Sequence, residues 1–408
     1  CEHFGLKRYI TLSTACSSAL NAIVHGAGLI RTGKAKQVIV GGTEAMTAFH
    51  LNGFASLGIL SHSVCRPFQE DRDGINLGEG AAYLVIEDAE QANQRGATIY
   101  GYLAGYGNAC DAYHQTASSP QGEGAYLAMR QALSMAHLAP SEIAYINAHG
   151  TATLNNDASE MCAIERLFGN TLPLVESTKS LTGHTTSASG SIEAIFTLIK
   201  MQEHHYAYAL CNAFGFGGND SCVAFATQPR ELTPVLNAPN LHSTSLYESA
   251  GERNYKELIP PLQARRMTPM IRQLLVVAKQ ALDEAHIDCP MGMVVGTRWG
   301  GMIPTIQLLN QLLEGEYNLS PAAFMNSTHN AAAGTLARFL QCRHFNVTVV
   351  AEQDGFDKAM EVAQVHCQTN PNTPLLVCFI DEVDNTWSEL GNQVNIQFDN
   401  RVKAKLIW

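Results

Sequence analysis

Strand-like and helix-like apolar patterns alternate along most of the chain and predict an α/β protein. Residues 8–12 are β-branched and aromatic, residues 17–32 repeat apolar side chains at helical spacing, and residues 37–41 form a short apolar run. A strand, a crossover helix and a second strand in such close succession make a βαβ unit, the building block of layered α/β folds. Further strands are predicted at 83–86, 143–147, 173–176 and 221–226, and further helices at 124–137, 157–168 and 190–204.

The apolar periodicity stops near residue 228, where prolines accumulate. This change predicts a linker over 229–264. A new α/β pattern begins near Arg265, with helices predicted at 271–285, 302–313 and 331–340 and a strand at 293–296. The chain is therefore predicted to consist of a first unit at 1–228, a linker at 229–264 and a second unit at 265–408.

The end of the second unit repeats the pattern at the start of the chain. Strand 347–350, helix 356–366 and strand 375–379 follow one another as 8–12, 17–32 and 37–41 do. The offset of 337 residues, which is the distance from Cys16 to Gln353, aligns the two copies. Acidic residues follow the last strand of each copy, Glu44 in one and Asp381 and Glu382 in the other. The repeat predicts two copies of one half-fold, although a slip of one residue would make Gln353 an ordinary helix-start residue.

Composition narrows the class of protein. The 408 residues suit two or three domains, and 46% hydrophobic content indicates a chain with ample core. A net charge of −11 argues against a nucleic-acid binder, and no apolar run is long enough for a membrane span. The 11 cysteines include no C-x-x-C pair, so neither a metal site nor a redox motif is indicated, and a cytoplasmic location is expected. Because residue 1 is Cys1, we expect the natural polypeptide to begin upstream.

Cys16 is the first candidate for chemistry. It stands where a predicted strand turns into a predicted helix, between the small residues Ala15 and Ser17. A thiol at a helix N-terminus faces unpaired backbone N–H groups, which favour the thiolate, and small neighbours let a carbonyl approach. Taken alone, a buried structural cysteine at a tight turn explains the pattern at least as well.

Two histidines, His149 and His184, stand in glycine-flanked loops near the ends of predicted strands. Such loops carry the chemistry of many α/β folds, although hydrogen-bonded loop histidines are an equally ordinary interpretation. Lys179 and Glu160 could form a buried ion pair or a solvated one. The glycine-rich stretch 214–218 precedes a strand instead of opening a helix, so it does not fit a dinucleotide fingerprint. It could gate a pocket or form a plain turn.

In this order and spacing, these motifs resemble the β-ketoacyl synthases of type II fatty-acid and polyketide synthesis. Cys16 precedes His149 by 133 residues, and His184 follows after 35 more. The resemblance extends over residues 4–226 and rests on Thr14-Ala15-Cys16-Ser17-Ser18-Ala19, Arg66-Pro67-Phe68, Asp71-Arg72-Asp73-Gly74, Ala148-His149-Gly150-Thr151-Ala152-Thr153 with Asp157 and Glu160, Ser177-Thr178-Lys179 with Gly183-His184, and 212–218.

The resemblance implies a thiolase-like layered α/β/α/β/α fold whose N-terminal half is incomplete in the first unit. It implies that Cys16 is the acylated nucleophile and that His149 and His184 complete a Cys-His-His set. Lys179, paired with Glu160, would orient this set. The resemblance further implies supporting roles for Thr151, Thr153 and Asp157, oxyanion or gating roles for Phe214, Phe216, Gly217, Asp111 and Thr116, and a carrier-protein contact at Arg72.

The implied reaction is decarboxylative Claisen condensation of malonyl-acyl carrier protein with an acyl chain held as a thioester on Cys16. No cofactor is implied beyond the phosphopantetheine of acyl carrier protein, which delivers the acyl groups. The implied partners are acyl carrier protein and a second synthase or chain-length-factor subunit, in a homodimer or heterodimer. The alternative is a non-catalytic scaffold or chain-length-factor partner. A thiolase is disfavoured because its second cysteine is missing from the glycine loop.

The sequence departs from the family in three places. Ile75 replaces a phenylalanine, a segment before Asn212 is nearly absent, and the long portion that precedes the cysteine strand is missing, which predicts unrecorded chain. The second unit resembles the N-terminal half of short chain-length-factor-like proteins. There Gln353 would occupy a pseudo-active position, since an amide cannot form a thioester. Acyl length, primer and pathway stay open.

Overall fold

The structure is a computed structural model that describes residues 5–6, 8–230, 235, 241–249, 254–265, 267–382 and 401–408. Cys1, Phe4, Pro234, Pro239 and Arg266, which entered the sequence predictions, lie outside the described residues.

The first unit follows the predicted alternation. Its elements are β1 (Thr11–Leu12), α1 (Ser18–Arg31), β2 (Gln37–Glu44), α2 (Ala48–Ser56), β3 (Gly80–Glu87), α3 (Ala89–Gln94), β4 (Tyr102–Cys110), α4 (Glu123–Ala136), β5 (Tyr145–Asn147), α5 (Leu154–Phe168), β6 (Leu174–Glu176), α6 (Lys179–Thr182), α7 (Ser189–His204), β7 (Tyr208–Gly215) and β8 (Asn219–Ala226). The predicted strand at 8–12 is reduced to the two residues of β1.

The elements from Tyr247 onward form a second α/β arrangement. They are β9 (Tyr247–Ser249), α8 (Pro261–Ala264), α9 (Pro269–Glu284), β10 (Gly292–Thr297), α10 (Met302–Leu313), α11 (Pro321–Asn326), α12 (Ala331–Leu340), β11 (Phe345–Val350), α13 (Gly355–Thr369), β12 (Leu375–Phe379) and β13 (Val402–Ile407). Two of them, β9 and α8, lie in the predicted linker, so 229–264 is not simply a linker. Pro261 is the first residue of α8, a position where its missing N–H costs no hydrogen bond.

A five-stranded sheet forms the centre of the first unit, in the order β4-β8-β7-β5-β6. Alternate residues of each strand face opposite layers, as the two-residue period requires. One face packs against α4 and α5 through side chains such as Leu210 and Phe214. The other face packs against α1 and α7 through side chains such as Cys211 and Val223. Helix α1, which follows Cys16, is thereby held in the middle of the layers.

Strands β2 and β3 form a separate antiparallel pair on the far side of α1 and α7. Three of their apolar side chains, Ile39, Tyr83 and Val85, are each more than half exposed. This short sheet, with no helical layer over those side chains among the described residues, agrees with the predicted incomplete N-terminal half. No helix in the described part of the chain is both long and apolar enough to cross a membrane.

The second arrangement is built on a six-stranded sheet in the order β1-β11-β10-β12-β13-β9. Helices α9 and α12 cover one face and α13 covers the other. Its edge strand β1 comes from the first unit and pairs antiparallel with β11, Thr11 opposite Val350 and Leu12 opposite Val349. The first strands of the two copies of the repeated pattern therefore hydrogen-bond to each other, which fixes the second unit beside Cys16.

Candidate active site

Cys16 lies in a tight turn between β1 and α1. Ala15 adopts a left-handed conformation with φ of +56°, which is strained for a residue with a side chain. Local side chains hold this turn: the Ser18 hydroxyl accepts a hydrogen bond from Thr14 N (2.9 Å) and donates one to Ala15 O (2.6 Å). The turn presents the thiol at the start of the helix, as the sequence predicted.

The ionisation expected for Cys16 is wrong. The side chain is 5% exposed, and burial raises the pKa of the thiol to about 12, against the opposing effect of the Lys179 charge and a hydrogen bond from the Phe216 backbone. The cost of burying a thiolate outweighs the favourable field of the helix terminus. The resting thiol is therefore protonated, and its proton must be transferred to a base when the sulfur attacks.

His149 follows β5 and lies beside the Lys179 ammonium. Lys179 Nζ is 3.4 Å from His149 Nδ1 and donates a hydrogen bond to His149 O (2.5 Å). Because an ammonium only donates, Nδ1 must accept, and this assigns the imidazole proton to Nε2. Burial, together with the Lys179 and His184 charges, lowers the pKa of His149 well below its usual value. The imidazole is neutral at pH 7 and has one N–H to offer.

His184 is also buried and neutral. Its ring lies edge-on to that of His149, with ring centroids 5.4 Å apart and planes at 80°. Its Nδ1 is 2.9 Å from Ser189 Oγ. Burial, and secondarily the Lys179 charge, lowers the pKa of His184 well below its usual value. The structure thus brings the two predicted histidines together as uncharged groups.

The predicted pairing of Lys179 with Glu160 is wrong. Lys179 Nζ contacts Glu193 Oε1, on α7, in an ion pair whose side chains are 0% and 2% exposed. Glu160 instead accepts hydrogen bonds from His149 N (2.9 Å), Gly150 N (2.9 Å) and Asn212 Nδ2 (3.1 Å). Both carboxylates support the histidine loop, but only Glu193 neutralises the lysine. The one sequence signal for Glu193 was a carboxylate within an otherwise largely apolar helix.

Asp157 supports the loop that follows His149. Its carboxylate accepts hydrogen bonds from Phe68 N (2.7 Å) and Ala152 N (3.1 Å), and Arg72 Nε is 3.7 Å away. The Arg72 side chain is only 17% exposed, so much of it is turned toward Asp157. The hydroxyls of Thr151 and Thr153, 2.8 Å apart, belong to the cavity lining. A carrier contact at Arg72 stays a prediction.

The glycine-rich stretch is the turn of the β7–β8 hairpin. Gly217 and Gly218 have φ of +86° and +81°, a backbone region that strongly favours glycine. The predicted second loop is bonded to this turn: Asp111 N donates to Gly218 O (2.7 Å), and Gly217 N donates to Gln115 O (2.7 Å). Phe214 lies against His149, with ring centroids 5.6 Å apart. The two predicted gating segments are therefore one hydrogen-bonded structure.

These groups surround a cavity of about 400 Å³. Of the predicted site residues it is lined by Cys16, His149, His184, Thr151, Thr153, Asp111, Thr116, Phe214 and Phe216. Ile75, at the departure from the family pattern, is also in its wall. In the part of the chain that the structure describes, no group of three His, Cys, Asp or Glu could hold a metal ion.

Helix α11 of the second unit contributes an aromatic side chain next to this cavity. Phe324 packs on Phe54 with ring centroids 5.4 Å apart, and Phe54 stacks on Phe216 at 5.9 Å. Gly53 makes the approach possible, since a Cβ there would lie 2.2 Å from the Phe324 ring. Asn330 Nδ2 also donates to Phe216 O (2.8 Å). No pattern in the sequence indicated that the second unit would contact the predicted gate.

A buried amide network connects the nucleophile turn with strand β11. Asn219 Oδ1 accepts hydrogen bonds from Ser17 Oγ (2.8 Å) and Asn21 Nδ2 (2.7 Å), and its Nδ2 donates to Asn346 O. Asn108 Oδ1 accepts from Asn346 N (2.8 Å). The backbone of one second-unit residue thus closes a network that begins beside Cys16.

Gln353 is exposed in a bend before α13 and is not part of the cavity lining. Helices α1 and α13 begin at Ser18 and Gly355, which reproduces the predicted offset of 337 residues. Asp381 accepts from Thr297 Oγ1 (2.7 Å) and Arg298 N (2.7 Å), while Glu44 accepts from Ser187 N (3.2 Å). Asp381 and Glu44 therefore each accept hydrogen bonds that hold a neighbouring loop in place. A pseudo-active role for Gln353 stays a prediction.

Models of known protein families match most of the chain. Residues 4–92 match the family model for the β-ketoacyl synthase N-terminal domain, and residues 100–211 match the model for its C-terminal domain. Residues 242–401 match a second β-ketoacyl synthase N-terminal domain model. The chain belongs to the β-ketoacyl synthase family. The predicted resemblance is confirmed. The match over residues 242–401 begins within the predicted linker.

Curated β-ketoacyl synthases are similar to about half of the chain. The chain is 39% identical over 247 residues to 3-oxoacyl-[acyl-carrier-protein] synthase 2 of Staphylococcus aureus, covering 52% of this chain and 61% of the relative. It is 41% identical over 248 residues to the synthase of the same name from Synechocystis sp., covering 52% and 60%. The chain therefore spans about three fifths of the length of these relatives.

Solved structures confirm the predicted fold class. The ishigamide ketosynthase/chain length factor is 31% identical with a TM-score of 0.51, over 53% of this chain and 60% of that one. The PfaC keto synthase–chain length factor matches 98% of this chain and 57% of that one with a TM-score of 0.78. At 18% identity the second likeness concerns the fold alone. It extends the thiolase-like ketosynthase fold over both units.

Proposed function

We propose that this β-ketoacyl synthase catalyses decarboxylative condensation of a malonyl thioester with an acyl chain bound to Cys16. The observation that carries the proposal is one cavity lined by a thiol, two neutral imidazoles and Phe216. The proposed extender and acyl donor are thioesters of acyl carrier protein. This choice of carrier is supported by the similar 3-oxoacyl-[acyl-carrier-protein] synthases of Staphylococcus aureus and Synechocystis sp..

In the first step the Cys16 sulfur attacks the acyl thioester carbonyl. The resting thiol is protonated, and its proton passes to the neutral His184 imidazole, because the lone-pair nitrogen of His149 already accepts from Lys179. The carbonyl oxygen becomes an oxyanion, which backbone N–H groups of Cys16 and Phe216 would stabilise. The C–S bond to the carrier then breaks, and the departing carrier thiolate takes the proton. The enzyme is left with an acyl-Cys16 thioester and neutral histidines.

In the second step the malonyl thioester loses CO₂. The electron pair of the broken C–C bond moves into an enolate, whose oxygen accepts hydrogen bonds from the His149 and His184 N–H groups. Neutral imidazoles suit this role because each can donate while keeping its proton. The enolate carbon attacks the acyl-Cys16 carbonyl, a C–C bond forms and the Cys16 C–S bond breaks. The Cys16 thiolate released in this step takes a proton from water, so that both histidines end the cycle neutral.

We further propose that the second unit is a non-condensing, chain-length-factor-like half and that the complete assembly contains a further synthase subunit. Phe324 beside the gate and Asn346 in the nucleophile network support a structural contribution from this half. The alternative function, a non-catalytic partner subunit, is favoured by Gln353 standing at the nucleophile offset. It does not account for the intact thiol–imidazole cavity of the first unit.

Replacing Cys16 by alanine is expected to lower the condensation rate by about a thousandfold or more, because the covalent intermediate cannot form. The assay follows 3-oxoacyl product and released CO₂ from acyl- and malonyl-acyl carrier protein. Cys367→Ala is the matched control, since Cys367 is a buried cysteine on the core-facing side of α13. Condensation by Cys16→Ala at the rate of the Cys367→Ala control would refute the function.

A further inference from the structure

Asp220 is a buried carboxyl group in the cavity wall that none of these steps uses. It is the second residue of β8, and only 7% of it is exposed. Its side chain lines the same cavity as Cys16 and both histidines. In the described part of the chain, its carboxyl group makes no hydrogen bond or ion pair. Because this carboxyl group has no protein partner and belongs to the cavity wall, it is available to hydrogen-bond a ligand in the cavity.

The fold leaves specific room for this carboxyl group. A Cβ at Gly124, the second residue of α4, would lie 2.0 Å from Asp220 Oδ2 and 2.9 Å from Asp111 N. Glycine is therefore needed at Gly124 because the Asp220 carboxyl occupies the adjacent space. Asp220 also follows the glycine turn directly, since Asn219 is the only residue between it and Gly218.

The neighbouring Asp111 carboxylate is fully hydrogen-bonded. It accepts from Ser119 N (2.6 Å), Ser119 Oγ (2.6 Å) and Gly124 N (3.0 Å). These three donors occupy both oxygens of the Asp111 side chain. The Gly124 N–H at the start of α4 is thus already directed to Asp111 and is not available to Asp220. A second ionised carboxylate beside this one would be repelled.

The charges around Asp220 favour its neutral form. Burial raises its pKa well above the usual range, and the charges of Asp111, after β4, and Glu160, on α5, add to this effect. The positive N-terminal end of α4 would favour the ionised form of Asp220. However, the Gly124 N–H at that end donates its hydrogen bond to Asp111. The Asp220 carboxyl therefore carries a proton and presents an O–H donor to the cavity.

We propose that Asp220 is a substrate-binding residue whose carboxyl O–H donates a hydrogen bond to a neutral carbonyl oxygen of a pantetheine-linked thioester. The acceptor is a thioester or amide carbonyl, because an anionic group would be repelled by Asp111. The substrate class rests on the proposed function; the hydrogen-bonding role rests on the position of the carboxyl group. Sequence reasoning missed Asp220 because only the glycines and phenylalanines of this turn were considered.

The test measures binding of S-acetyl-pantetheine by calorimetry in a Cys16→Ala background, where no acyl transfer occurs. Asp220→Leu is expected to weaken binding about tenfold, the loss of one buried hydrogen bond. Asp220→Asn keeps an N–H donor and is expected to bind within about threefold of the parent. Circular dichroism and thermal unfolding establish that both variants are folded.

The pH dependence gives a second readout. Binding by the Asp220 parent should weaken as pH rises and the carboxyl loses its proton, whereas binding by Asp220→Asn should not show this loss. Equal binding by Asp220→Leu and the parent would overturn the proposal. Equal weakening in Asp220→Asn and Asp220→Leu would also overturn it, because a donor would then not be what matters.

A parallel condensation assay with Cys16 intact separates the two proposals. Asp220-dependent probe binding by a chain that never condenses would retain the inference and refute the proposed function. Full condensation by Asp220→Leu at low substrate concentration would retain the function and refute the inference. The expected result is a raised KM with a smaller change in kcat for Asp220→Leu and near-parent values for Asp220→Asn.

Discussion

Lys179→Met is expected to lower the free energy of unfolding by about 3–5 kcal/mol, because it leaves a buried glutamate without its counter-charge. The side chains of Lys179 and Glu193 are 0% and 2% exposed, so water cannot replace the lost ammonium. Denaturant unfolding monitored by circular dichroism measures the change. Lys279→Met is the control: its ion pair with Asp283 is solvated, with side chains 36% and 60% exposed, and its loss should cost about 1 kcal/mol or less.

The double variant Lys179→Met with Glu193→Gln separates stability from positioning. Removing both charges is expected to restore much of the stability, since an uncharged buried pair carries no ionic desolvation cost. Condensation should stay low, because His149 Nδ1 has lost the donor that fixes its proton on Nε2. Nitrogen NMR of the imidazole would report the change in tautomer. A Lys179→Met variant no less stable than Lys279→Met would contradict the buried ion pair.

His149→Ala is expected to slow decarboxylation of malonyl-acyl carrier protein by about 10²–10³-fold, the effect of removing one preorganised donor from a developing oxyanion. The His149 N–H is one of the two imidazole donors assigned to the enolate. The measurement is release of labelled CO₂ under saturating substrate. The control is His204→Ala, at the exposed C-terminal end of α7, which should decarboxylate at the parent rate. Parent-rate decarboxylation by His149→Ala would remove this histidine from the mechanism.

Local periodicity was sufficient for much of the first unit. Five elements lie within a few residues of their predicted bounds: α1, α4, α7, β2 and β8. The spacing of apolar residues within each segment was enough to predict it. The order and spacing of the motifs also predicted that Cys16, His149 and His184 share one site, and all three line the same cavity. These features depend on short segments and on resemblance to a known family.

The failures concern long-range neighbours. Glu160 and Glu193 lie on different helices, and nothing in their spacing tells which one reaches Lys179. The ionisation of Cys16 was mispredicted because burial by surrounding layers cannot be seen in the residues of the turn. The predicted linker supplied an edge strand, because Tyr247–Ser249 finds its partner in β13, more than 150 residues later along the chain. The pairing of β1 with β11 and the packing of Phe324 on Phe54 were also missed, because they too join residues that are far apart in the sequence.

The most direct test of the account is the mass of the peptide that contains Cys16 after the protein is mixed with acyl-acyl carrier protein alone. Without malonyl extender the first step should stop at the acyl-enzyme. We expect the mass of the Cys16 peptide to increase by that of the acyl group, and we expect hydroxylamine to reverse the increase and Cys16→Ala to lack it. A Cys16 peptide of unchanged mass, or an acyl group found on a different cysteine, would contradict it.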